Sequence, residues 1–118
     1  MIIPCTVDAT GRIAVVRPVG EMDIASAEAL RDALARACAS EADTVVVDLA
    51  AVTFIDSSAI GVLVVTAKTL RRAGCKLLIG NAASQPMRTL QLTGVPSVVV
   101  VTPPGAQLDP EIAALLSA

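Results

Sequence analysis

Histidine is absent from this chain of 118 residues, as are tryptophan and tyrosine, and phenylalanine occurs once. The missing histidine removes the base that a serine nucleophile uses in a Ser-His-Asp hydrolase. Together with three widely spaced cysteines, Cys5, Cys38 and Cys75, it also argues against a zinc site and a disulfide framework, so the thiols are read as buried small hydrophobes. The missing rings remove the stacking platform for single-stranded nucleic acid, and a net charge of −2 is the wrong sign for a duplex binder. Apolar runs such as "AIGVLVV" and "VPSVVVV" fall well short of the roughly 18 residues of a spanning helix. The start "MIIPCTVDATGR" has no basic leader followed by a long apolar stretch, so no secretory signal is expected. Neither a Walker-type loop nor GxGxxG occurs. The expected setting is a soluble, cytoplasmic protein with neither nucleic acid nor membrane among its partners.

What the chain has in quantity is Ala, Val, Leu and Ile, which with the other apolar residues make up 54% of it. That is enough for one aliphatic core, and residues 1–118 are read as a single domain. "IIPCTV" and "RIAVVRPVG" flank the turn around Thr10-Gly11 and form an expected hairpin, with Pro4 placing its first strand at a sheet edge. Ala27, Leu30, Leu34 and Cys38 recur at helical spacing, with Asp23 as the expected N-cap. "TVVVDL" lacks alternation, as expected of a central strand covered on both faces. Ile60, Leu63, Val64, Ala67 and Leu70 make a second helical stripe that Gly74 ends. "CKLLIG" reads as a strand, "ASQPMRTLQLTG" as a short helix with Ser84 as cap candidate, and "VPSVVVV" as a last strand. A tail helix with Ile112, Leu115 and Leu116 as its packing face closes the order β-β-α-β-α-β-α-β-α. Such alternation requires crossovers, so the expected fold is α/β: one mixed, mostly parallel sheet with packed helices.

"FIDSSAIGVLVV", residues 54–65, sets an acid and two hydroxyls in front of the second helical stripe. The free N–H groups at a helix start and the helix dipole favour negative charge there. The same triplet is ordinary capping chemistry, with Asp56 as N-cap and Ser57 and Ser58 in the first turn. A Ser-Lys pair is disfavoured, because Lys68 lies about three turns along the same helix and Lys76 follows its end. Asp23, Asp48 and Asp56 as a carboxylate pair or magnesium site are weighed against isolated caps, and the caps are the more economical reading.

Three segments carry a resemblance. "VGEMD" at 19–23, "VVVDLAAVTFIDSSAIGVLVVTAK" at 45–68 and "PMRTLQLTGV" at 86–95 are similar, in matching order, to the signature segments of the STAS domain family, in particular the bacterial anti-sigma-factor antagonists. The chain departs from the family pattern at Ala59, where Gly is usual, and in its lack of aromatic residues. The resemblance implies a partner-switching protein with no reaction of its own, which binds an anti-sigma factor and so frees a sigma factor. It implies that this partner is also a serine kinase, that ATP is used by the partner alone so that the chain takes no cofactor, and that a phosphatase reverses the modification. Carried over residue by residue, Ser57 is the phosphate acceptor, Asp56 and Ser58 flank it, Gly61 lets the helix pack closely, and Asp23 stands at the neighbouring helix start. Asp23, Asp56, Ser57, Ser58 and Gly61 are thus the implied partner-binding residues. The alternative is a STAS scaffold subunit of a signalling or transport assembly, with no phospho-switch and the triplet serving as a cap.

Overall fold

The computed structural model describes residues 5–102 and 110–117, with side chains from residue 11 onward except those of Glu111, Leu115 and Ser117. The chain opens with the expected hairpin: β1 (Cys5–Thr10) and β2 (Ile13–Pro18) pair antiparallel from Cys5↔Pro18 to Thr10↔Ile13. Gly11 turns the corner at φ +60°, a conformation that glycine adopts without a Cβ penalty. β4 (Thr44–Asp48) then pairs parallel with β2, β6 (Lys76–Gly80) parallel with β4, and β7 (Val100–Val101) parallel with β6. The resulting five-stranded sheet has the order β1-β2-β4-β6-β7. β1 lies at the edge as expected, while Pro4 itself is outside the described residues. All of β4 is buried, so the unbroken "TVVVDL" run is central and covered on both faces.

The two faces are covered unequally. The larger core joins alternate sheet residues Ala14, Val16, Val45, Val47, Leu77 and Ile79 to helices α1 (Ala27–Cys38), α2 (Ser57–Arg72) and α3 (Ser84–Leu92). On α2, Ile60, Leu63, Ala67 and Leu70 are buried, and Val64 packs half-buried against the core. The smaller core, Ile13, Val15 and Val46 with Leu78, receives Ile112 and Leu116 of α4 (Pro110–Ser117); Leu115, also expected to pack, is outside the described side chains. At the carboxyl end of this face Asp48 is 6% exposed, its Oδ1 accepting from Ala50 N at 3.0 Å and Asn81 Nδ2 at 3.2 Å. Arg17 Nε stands 3.5 Å from its Oδ2. Asn81 Nδ2 also donates to the carbonyl of Leu116 at 2.8 Å, so this acid is tied into the fold.

Three expectations need correcting. The chain forms two further short strands, β3 (Gly20–Met22) and β5 (Val52–Ile55), which pair parallel with each other in a separate two-stranded sheet. The "VPSVVVV" run is mostly not strand: Val95–Ser97 forms a 3-10 turn that carries Pro96, and only Val100 and Val101 join the sheet. The 3-10 turn starts after Gly94 at φ +76°, and Pro96 has no N–H to give a ladder. Ala83, not Ser84, is the N-cap position of α3, and no side chain caps it.

Cys38 and Cys75 are free and half-buried; the side chain of Cys5 is outside the described residues. Burial pushes both thiols above the ordinary value, with proximity to Cys75 adding to the effect on Cys38 and Asp43 adding to that on Cys75.

Two outcomes test this packing. Leu63 is fully buried, so Leu63→Ala is expected to cost about 2–5 kcal/mol in chemical denaturation; a loss under about 0.5 kcal/mol would contradict the assigned face. Because the thiolate is the reactive form, alkylation of native Cys38 and Cys75 near neutral pH is expected to run far slower than after unfolding and to accelerate as pH rises.

Candidate functional site

The small β3/β5 sheet builds the site. Its register sets Met22 opposite Ile55, and Asp56 N donates to the Met22 carbonyl at 3.0 Å. The next residues of the two strands, Asp23 and Asp56, therefore leave the sheet side by side, each leading into a helix. Met22 and Ile55 are both 1% exposed and anchor the pair in the larger core.

The two acids do different work. Asp56 is the N-cap of α2, extended at φ −113° and ψ −178°, with its Oδ1 accepting from Ser58 N at 2.9 Å and Ala59 N at 3.2 Å. This is the cap expected from sequence. Asp23 is not the cap of α1, because that helix begins four residues later, at Ala27, with Ser26 in the N-cap position. Instead Asp23 Oδ1 closes a turn ahead of the helix, accepting from Ala25 N at 3.0 Å and Ser26 N at 3.2 Å. The buried Ser26 hydroxyl accepts from Asp23 N at 2.9 Å and lies 3.1 Å from the Glu21 carbonyl, to which it can donate. Asp23 is thus held at the mouth of the site by turn chemistry.

Ser57, first residue of α2, is exposed, and Ser58 is half-buried. Neither hydroxyl has a hydrogen-bond partner among the described residues. Ala59 is fully buried, pointing away from the surface that Ser57 presents. Ile24, just past β3, and Phe54, the one aromatic residue and a member of β5, are 79% and 40% exposed, adding apolar contact surface.

Gly61 behaves unlike the expectation. It is exposed, and a Cβ placed on it would meet nothing within 4 Å, so it does not serve close packing of α2 within the chain. The structure brings Asp23, Asp56, Ser57 and Ser58 to one end of the molecule, with Gly61 one turn further along α2.

One residue that sequence reasoning missed holds the site strand from its other side. Gln85 on α3 accepts from Ile55 N at 3.0 Å through Oε1, and its Nε2 lies 3.3 Å from the Ile55 carbonyl and 2.9 Å from Thr89 Oγ1. A side-chain amide here replaces a missing neighbouring strand. Only the i, i+4 spacing of Gln85 and Thr89 hints at this, and that spacing does not point to β5.

No group of three or more metal-ligating side chains is found among the described residues. Asp48 is tied into the fold, Asp23 Oδ1 closes the turn ahead of α1 and Asp56 Oδ1 caps α2. Lys68 is exposed on α2 and Lys76 is exposed at the start of β6. No described helix is long and apolar enough to cross a membrane.

A family model described as the STAS domain matches residues 5–111, and the chain belongs to that family. Among solved structures it is similar to an anti-sigma factor antagonist from Mycobacterium paratuberculosis, 27% identical with a TM-score of 0.79 over 95% of this chain and 92% of that one. It shares its fold with the anti-sigma factor antagonist SpoIIAA in unphosphorylated form, 18% identical with a TM-score of 0.74 over 98% of both chains. The phosphorylated form of the Bacillus cell fate determinant SpoIIAA aligns with a TM-score of 0.67 at 18% identity, over 98% of this chain and all of that one. None of the curated proteins matches the sequence.

The Gln85 clamp carries a prediction. Gln85→Leu keeps the bulk of the side chain but leaves the Ile55 N–H and carbonyl without their partner, at an expected cost of about 1–3 kcal/mol. Thermal unfolding reads it, and an unchanged midpoint would show that water replaces the amide without loss.

Proposed function

We propose that this protein is an anti-sigma-factor antagonist that acts by partner switching: unphosphorylated, it binds an anti-sigma factor that is also a serine kinase, a sigma factor is released, and phosphate on Ser57 ends the interaction. The observation that carries this reading is the state of Ser57. Its hydroxyl is exposed at the first position of α2 with no partner of its own, while the capping duty beside it is already discharged by Asp56. A residue needed as a cap would be engaged, and this one is free to be modified.

Phosphate adds about −1.5 to −2 charge and strong acceptor oxygens at that point. For the isolated fold the charge is nearly harmless, since a helix N-terminus favours negative charge by about 0.3–1 kcal/mol. For a complex it is not. Asp23 and Asp56 stand close by, and a partner surface fitted to a neutral hydroxyl between two acids would confront further negative charge with no new cation to meet it. An uncompensated charge in a closed contact costs several kcal/mol, or two or more decades in affinity.

Support comes from the antagonist from Mycobacterium paratuberculosis, whose likeness covers almost the whole chain, and from SpoIIAA, whose two structures give this fold in both unphosphorylated and phosphorylated forms. In this reading the chain has no reaction of its own and takes no cofactor; ATP is consumed by the partner, a phosphatase resets Ser57, and neither nucleic acid nor membrane is contacted.

The test uses three variants titrated against the ATP-binding partner, with phosphate mapped by mass spectrometry. Ser57→Asp is expected to lose at least a hundredfold in affinity with nearly unchanged thermal stability. Ser57→Ala is expected to bind and take no phosphate, and Ser58→Ala to bind and take phosphate at Ser57. Phosphate found only at Ser58 or Thr53, or equal affinity of Ser57→Asp and wild type, would return the triplet to a helix cap and favour a scaffold role.

A further inference from the structure

A groove of about 770 Å³ runs between α1 and α2. It begins at Arg31 and Ser58 and reaches Thr69, a helical rise of about 16 Å. Ala35, Gly61 and Val65 line it between those ends, and Val65 is 65% exposed there. The groove therefore opens at Ser58, the residue after Ser57, and continues away from it for about three helical turns.

Gly61 is the anomaly in this groove. Its backbone is ordinary helix and its missing Cβ faces open space, so neither conformation nor internal packing calls for glycine, which costs about 1 kcal/mol against alanine within a helix. A local choice that the fold does not explain is the mark of a functional surface. Charge narrows the occupant. The chain as a whole carries −2, yet α1 and α2 carry Arg31, Arg36, Lys68, Arg71 and Arg72 against Glu28 and Asp32. Arg31 is the charged residue in the lining and is exposed; Lys68 and Arg72, three and seven residues past Val65 on α2, are exposed beside that stripe, and Arg71 turns away to the carbonyl of Val98 at 2.8 Å.

We infer that the α1/α2 groove receives an acidic amphipathic helix of the anti-sigma factor, its apolar side chains in the trough over Gly61 and Val65 and its carboxylates toward Arg31 in the lining and Lys68 and Arg72 beside it. A helix laid in a groove offers apolar anchors at three- and four-residue spacing, and about three turns fill this length. The inference rests on the reading of Ser57 as the partner-facing switch and extends that contact along the helices.

The experiment measures binding of the purified kinase that phosphorylates Ser57 to wild type, Gly61→Leu, Val65→Glu and Arg31→Glu, with melting temperatures recorded alongside. All three positions are exposed, so the variants are expected to melt within a few degrees of wild type. Each is expected to bind at least tenfold more weakly, with Arg31→Glu also flattening the salt dependence. Cys38 lines the groove while Cys75 does not, so the complex is expected to protect Cys38 from alkylation and leave Cys75 unaffected. If the three variants bind within twofold of wild type while Ser57→Asp still loses affinity, the groove assignment is wrong and the switch stands. If no such kinase binds wild type or phosphorylates Ser57, both fall together. A concentration-dependent dimer of wild type that Gly61→Leu abolishes would give the groove to a second copy of the chain and overturn the assignment.

Discussion

The hydrogen bond from Asp56 N to the Met22 carbonyl, with the short parallel pairing around it, decides where the candidate functional groups lie. Strands of three and four residues are too short to hold themselves. They persist because Met22 and Ile55 are sunk in the larger core and because Gln85 completes the outer edge of β5. Without that pairing Asp23 and Asp56, far apart in the chain, would have no reason to meet, and α2 would have no fixed start.

The rest of the fold is packed behind this end. β4 lies buried between β2 and β6, and the ion pair of Arg17 with Asp48, braced by Asn81, closes the carboxyl end of the face that α4 covers. The acid most buried in the described structure is thus structural, whereas the acids at the small sheet are half-exposed. In the proposed switch, a fold that shifted when Ser57 gained charge would confuse loss of contact with loss of structure.

Much of this was legible in the residues. The buried run of β4 and the stripe of Ile60, Leu63, Ala67 and Leu70 announce themselves through periodicity, and Asp56 as a cap follows from its place before that stripe. The small sheet does not. In β5 the burial runs buried, exposed, exposed, buried from Val52 to Ile55, which has no alternation to detect, and β3 is only three residues long. Asp23 sits where a cap is expected, yet Ser26 intervenes with its own hydrogen bonds and delays the helix. Pro96 turns most of an apparent valine-rich strand into a 3-10 turn. Gln85 escapes notice because its partner is the backbone of a residue 30 positions away, and side-chain mimicry of a strand leaves no pattern. Gly61 is legible as a glycine in a helix, and only the open space around it corrects the packing interpretation.

The central claim is that phosphate at Ser57 acts on the partner and not on the fold. Calorimetric titration of the purified anti-sigma kinase with unphosphorylated and with stoichiometrically Ser57-phosphorylated protein, paired with the melting temperature of each form, tests it most directly. The account predicts melting temperatures within a few degrees of each other and an affinity lower by at least a hundredfold for the phosphorylated form. Equal affinities, or a fall in affinity matched by a collapse in melting temperature, would contradict it.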